Sequence, residues 1–223
     1  MIVRVGFSAI AAAVLLATPG VASGIDPGQE PRKRLTAADN RRAKSAVVRK
    51  ADLLPSYRLD STGGALPSIP HCGGYPGNRS RITITGTARA GFTNGSSTIG
   101  STVLYFKRQL DFEAYWRLTV QPTFATCHAD LYAQARQAAG VTAETLEAGP
   151  TRIGATGANR VIAYRIATRL SKEGVQPFEW HQTFVFASWG RALALVRVAS
   201  AYEPCDCYTG LTTDAVRRLR AAR

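Results

Sequence analysis

The longest uninterrupted pattern in the chain runs from Phe178 to Ser200 and reads as two strands joined at Trp189-Gly190-Arg191. In its first half Phe178, Trp180, Gln182, Phe184 and Phe186 alternate with Glu179, His181, Thr183 and Val185, the two-residue period that divides side chains between the faces of a sheet. Its second half, Ala192 to Val198, is apolar everywhere except Arg197, the pattern of a strand covered on both sides. Upstream, Arg160 to Leu170 places Ile162, Tyr164 and Ile166 inward, and Glu173-Gly174 turns that strand into the hairpin. Strand alternation also starts at Arg81: Ile82, Ile84, Ala88, Ala90 and Phe92 are expected on one face, with Arg81, Thr83, Thr85, Thr87 and Arg89 on the other. Asn94-Gly95 is a hairpin turn signal, and the returning strand runs from Ser97 to about Lys107. Thr145-Leu146 reads as a short strand.

Helical spacing occupies the remainder. Ala43, Ala46, Val47 and Ala51 form a narrow apolar stripe that Thr36 or Asp39 can cap, ending before Pro55. Asp111 caps a helix carrying Phe112, Tyr115, Trp116 and Leu118, and a second helical piece after Pro122 places Phe124, Cys127, His128 and Leu131 together. A closing helix is predicted from about Thr213 to Ala221. The order is helix, two strands, helix, three or four strands, helix. Short connections predict an α+β fold, a mainly antiparallel sheet of about five to six strands with helices packed on it.

The first residues belong to a different category. Met1 to Gly24 has Arg4 as its only charge, an apolar run from Val5 to Ala17, a Pro19-Gly20 break and then Val21-Ala22-Ser23. That order predicts a secretory signal peptide over residues 1–24, a flexible leader over 25–35 and one domain over 36–223. The apolar run is too short to span a bilayer, so the mature chain is expected to be secreted or extracytoplasmic, with no transmembrane segment. The formal net charge of +13 gathers at the ends: eight basic residues between Arg32 and Lys50 face only Asp39, and Arg217, Arg218, Arg220 and Arg223 close the chain. Basic ends can hold an anionic polymer of the cell envelope. No aromatic side chains are interleaved with them, so no specific nucleic-acid partner is expected.

Chemistry is sparse. Glu179 and His181 share one face of a strand and could work as an acid/base pair in a hydrolase-type enzyme, although no nucleophile can be assigned to them by spacing. No nucleotide-loop, nucleophile-elbow or metalloprotease motif occurs, and neither a metal nor a cofactor is expected. Trp116, Tyr164, Phe178, Trp180 and Trp189 are the candidates to line a groove for a small molecule if the sheet and its helices leave one open. The reading is an exported, non-catalytic binding or sensor-like domain; the alternatives are the hydrolase and an envelope-associating protein. Four cysteines in an exported chain are expected to be oxidised. A ring closed between Cys205 and Cys207 is strained, so spacing alone sends each of them to Cys72 or Cys127.

Ala51-Asp52-Leu53-Leu54-Pro55, the solitary Cys72, Thr83-Ile84-Thr85-Gly86-Thr87-Ala88, Gly100-Ser101-Thr102-Val103 and Cys127 after Pro122 occur in a familiar combination. Together they resemble the exported domains of high-GC Gram-positive bacteria related to the extracellular sensor domain of a transmembrane Ser/Thr kinase and to secreted proteins and lipoproteins. The resemblance covers about Ala51 to Arg220. It implies an antiparallel sheet with helices and a disulfide between Cys72 and Cys127, and brings no catalytic residue with it. Cys205 and Cys207 depart from that pattern and would form a strained second disulfide or stay free thiols.

Overall fold

In the computed structural model, residues 29–60, 77–154, 156–201 and 207–222 are described. Eight strands form one sheet: β1 (Arg32–Lys33), β2 (Arg58–Leu59), β3 (Thr83–Thr93), β4 (Ser97–Phe106), β5 (Thr142–Thr151), β6 (Arg160–Lys172), β7 (Val175–Trp189) and β8 (Ala192–Ser200). Four α-helices accompany them: α1 (Ala37–Ala46), α2 (Gln109–Thr119), α3 (Phe124–Ala138) and α4 (Cys207–Ala221). The path across the sheet is β1, β3, β4, β8, β7, β6, β5, and β2 pairs with the same outer edge of β3 as β1. All pairings are antiparallel except β1 with β3, so the sheet is mixed and larger than the alternation alone predicts. The excess consists of the two-residue strands β1 and β2 and of β5, which extends from Thr142 to Thr151 where only Thr145-Leu146 reads as strand. The predicted signal peptide lies outside the described residues, and from Arg32 the leader is tied to the edge of β3.

Both faces of the sheet are covered. Phe112 and Tyr115 of α2 and Phe124, Ala125 and Ala129 of α3 pack on Leu104, Phe106, Tyr164, Ile166, Phe184, Phe186, Leu193 and Leu195. On the other face, Ala43 and Ala46 of α1 and Ala215 and Leu219 of α4 meet Val103, Tyr105, Ala192 and Ala194, while Tyr208 and Leu211 of α4 meet Val185, Val196 and Val198. Every residue of β8 is buried, as its near-continuous apolar run requires.

The turns follow the local signals. Asn94 Oδ1 accepts from the Ser97 amide at 2.8 Å, and Gly95 adopts φ 93°, which favours glycine. Thr36 caps α1 by accepting from the Asp39 amide at 3.2 Å. The helix stops at Ala46, with a separate 3₁₀ turn over Lys50–Asp52, and α4 begins at Cys207 rather than near Thr213 because Tyr208, Leu211 and Thr212 are themselves buried.

One expectation about facing fails in an instructive way. The pairing of β3 with β4 shifts between Ile84 and Gly86, a β-bulge that places two residues of one strand opposite one of the other. Ile84 therefore faces α2 and α3 with Phe106, whereas Ala88 and Ala90 pack toward α1, and Thr87 and Arg89 turn to the α2/α3 face opposite Leu104 and Thr102. The bulge is fixed by partners distant in the chain. Thr85 Oγ1 donates to Asp39 Oδ2 at 2.6 Å, and the Arg191 guanidinium grips the same carboxylate through two bonds of 2.9 and 2.8 Å while also reaching the Phe106 carbonyl.

Candidate functional site

The bulge builds one wall of a cavity. On the α2/α3 face, Arg89 of β3, Thr102 of β4, Leu195 of β8 and Phe186 of β7 lie in one cross-strand row, and Thr87, Leu104 and Leu193 form the next. The cavity above these rows measures about 350 Å³ and is bordered by Tyr115 of α2, by Arg79, and by Glu30, Pro31 and Lys33 of the segment that carries β1. Volumes of this order accommodate small organic ligands. Its floor is aliphatic and aromatic, and Leu104 and Leu195 each keep 9% of their surface accessible while Phe186 keeps none.

Three cations and one carboxylate line it. Arg79 is only 3% exposed; its Nη2 donates to Glu30 Oε1 at 2.5 Å, its guanidinium lies 5.7 Å from the Tyr115 ring centroid, and its Nε has no hydrogen-bond partner. The backbone holds this arrangement, since the Arg79 amide donates to the Gln29 carbonyl at 2.8 Å and the Arg32 amide to the Ile82 carbonyl at 2.9 Å. Thr102 is 8% exposed, and its Oγ1 likewise finds no partner. Arg89 is exposed and makes no ion pair among the described residues. Burial pushes the Tyr115 hydroxyl up from its ordinary pKa, against the opposing pull of Arg79.

The five aromatic candidates do not converge on this cavity. Tyr164 is fully buried, its hydroxyl donating to the Gln121 carbonyl at 2.8 Å. Trp116 packs beside Phe112, while Phe178 and Trp180 join Tyr132 and Leu170 at the far end of α3. Trp189 is on the opposite face with Arg220 4.7 Å above its ring. They fall into three packing clusters, Tyr164 with Trp116, Trp180 with Phe178, and Trp189, and none of them lines this cavity.

Glu179 and His181 also sit on the face away from the cavity. His181 Nε2 lies 3.6 Å from Glu179 Oε2, and Glu179 continues through Arg169 at 3.5 Å to Glu144 at 3.4 Å, a ladder of charges across three strands. Ser200 stands opposite His181 in register, a neighbour that sequence spacing does not reveal. Its hydroxyl accepts from Ser97 Oγ at 3.1 Å.

A second polar locus, also invisible in the apolar pattern, lies between α3 and the β7–β8 hairpin. Phe124, His128, Tyr132 and Arg136 follow at four-residue intervals on α3, so they share one side of the helix. Below them Arg197, 8% exposed, donates from Nη2 to Gln182 Oε1 at 2.6 Å and lies 5.7 Å from the Phe184 ring. Burial pushes Arg197 down to about 10 and His128 down to about 3, the latter with help from the charge of Arg197. No carboxylate among the described residues pairs with Arg197.

The basic ends are partly consumed by packing. Arg218 binds Asp52 at 2.8 Å with both side chains mostly buried, and Arg42 and Arg191 share Asp39, leaving Arg32, Lys33, Arg34, Arg41 and Lys44 among the outward charges. Cys127 and Cys207, the two described cysteines, are not free thiols, which removes the free-thiol alternative for Cys207; Cys72 and Cys205 lie outside the described residues. Among the described residues no helix is long and apolar enough to cross a membrane. No family model matches the sequence, and no curated protein matches it.

Proposed function

We propose that this chain is an exported, non-catalytic binding domain that takes a small, largely apolar molecule into the cavity over β3, β4 and β8. The observation that carries the reading is the cavity itself: about 350 Å³ over Leu104, Leu193, Leu195 and Phe186, with a few polar groups at its wall. Small-molecule sites have this composition, an apolar concavity with sparse polar groups that fix orientation. The hydrolase alternative has less support, because Glu179 and His181 belong to a charge ladder on the other face.

A thermal-shift screen of small amphiphiles tests the proposal. A ligand at a hundred times its Kd stabilises by about 2.7 kcal/mol, which for a chain of this size raises Tm by about 5–10 °C. Leu195→Trp, which fills the floor, is expected to abolish the shift. A screen without any shift, or shifts that survive Leu195→Trp in a folded variant, overturns the reading.

A further inference from the structure

We infer that the ligand of this cavity is an amphipathic carboxylic acid, its head held by Arg89, Thr102 and Arg79, with Glu30 as the chain's own competitor for Arg79. The inference rests on the cavity being a binding site, as proposed above, and adds the class of ligand.

Charge is the first argument. Lys33, Arg79 and Arg89 line the cavity against Glu30 alone, so its wall carries an excess of positive charge above an apolar floor. An uncharged apolar ligand would use the floor and leave that excess unused; an acid with an apolar body uses both. The second argument is orphaned donors. Arg79 and Thr102 are each more than nine-tenths buried, and Arg79 Nε and Thr102 Oγ1 have no hydrogen-bond partner, although both residues border the same space. Buried polar groups are ordinarily satisfied, so two unpartnered atoms, each with almost no accessible surface, in residues that border one cavity mark its wall as short of polar partners. The third is the placement of Arg89. The bulge in β3 turns it to the face that α2 and α3 cover, in register with Thr102, and no carboxylate among the described residues answers it.

Glu30 fixes the class. Glu30, whose side chain is 38% exposed, supplies a carboxylate to the nearly buried Arg79 at 2.5 Å, and such a pairing lowers the cost of burying a charge. The geometry on this wall therefore already accommodates a carboxylate, and a ligand carboxylate entering over Leu104 and Leu195 competes with it for Arg79 while gaining Arg89 and Thr102.

Isothermal titration of the full chain with octanoate and with 1-octanol separates the two readings, because the probes share a tail and differ in the head. Octanoate is expected to bind about tenfold or more tightly than octanol, as a charge-assisted pair requires. Arg89→Met should remove most of that difference and leave octanol within about twofold, and Glu30→Gln should tighten octanoate alone. Methyl NMR shifts of Leu104, Leu193 and Leu195 locate the probes without any substitution. Equal binding of octanol and octanoate at those methyls overturns the carboxylate inference and leaves the binding site standing. An unchanged octanoate affinity in Glu30→Gln removes the competitor role. Absence of binding by either probe, or shifts confined to other methyls, overturns both readings.

Discussion

Gly86 of β3 lies directly against the backbone of α1 at Asp39, and replacing it tests whether the β3 bulge and α1 are one unit. A Cβ built on Gly86 would lie 2.5 Å from both the carbonyl carbon and the oxygen of Asp39 and 2.7 Å from its Cβ. These are backbone or near-backbone atoms that cannot swing aside, so α1 must lift. Overpacking of this kind costs about 1–3 kcal/mol by itself. Lifting α1 also strains the bonds from Thr85 Oγ1 and from Arg191 to Asp39 and the 3.0 Å bond from the Thr87 amide to Asn40 Oδ1. With a net value of about 1 kcal/mol lost at each of these three contacts, Gly86→Ala should lose about 4–6 kcal/mol in total. Urea denaturation followed by circular dichroism, with the disulfides intact, reads this as a lower midpoint at unchanged slope. Gly149→Ala is the matched control: Gly149 also lies in a strand, has no positive φ and has nothing within 4 Å of an added Cβ. It should be neutral or gain up to about 1 kcal/mol through the unfolded chain. A loss below about 1 kcal/mol for Gly86→Ala, or equal effects of the two substitutions, would refute the close-contact argument.

Acid should act through the same anchor. Burial alone would raise the carboxyl of Asp39, but hydrogen bonds from Arg191 and Thr85 and the charge of Arg191 hold it below 3.8, and Asp52 is lowered in the same manner by Arg218 and Arg49. A folded pKa below the unfolded one contributes stability above about pH 4 that is lost as pH falls through the folded value. The Tm gap between the native chain and Asp39→Asn should therefore be full at pH 5–7 and shrink toward pH 2; a gap that stays constant contradicts the assignment. At the polar seam under α3, Arg197→Met takes the guanidinium donor from Gln182 Oε1 and Gln182→Met leaves Arg197 without that acceptor, each at a cost of about 1–3 kcal/mol. The double variant removes both groups and should recover most of that loss in urea midpoints, and simple additivity would show that the 2.6 Å contact carries no coupling.

The parts of the fold legible in the sequence are those decided by short-range pattern. β8 reads as doubly buried because its run is apolar, and its two sides are indeed occupied by Leu193 with Leu195 and by Val196 with Val198. Thr36 reads as a cap because the bond it makes is three residues away. The bulge does not, because Ile82, Ile84, Ala88 and Ala90 keep one phase in the sequence while Asp39, far upstream, holds the strand in another. Arg89 consequently reads as an outward charge, although the bulge turns it to the cavity wall. β1 and β2 are two exposed residues each, held by backbone pairing that no side chain announces. The candidate site is illegible for a related reason. Large aromatics draw attention, but Tyr164 and Trp180 fill the core, and the cavity is made by the spaces between Leu104, Leu195 and Thr102 rather than by a conspicuous residue.

The position of β8 has a consequence for synthesis. It is the last in sequence of the described strands yet lies in the interior of the sheet, between β4 and β7. Until Ala192–Ser200 emerges, the β3–β4 hairpin and the β5–β6–β7 meander are two fragments, each with a long open edge ready to pair with another chain. A nascent chain halted before Ala192 thus holds most of the sheet's residues and none of its continuity. Pairing of β8 is what joins the halves and, by placing Leu193 and Leu195 under the cavity, the same strand completes its floor.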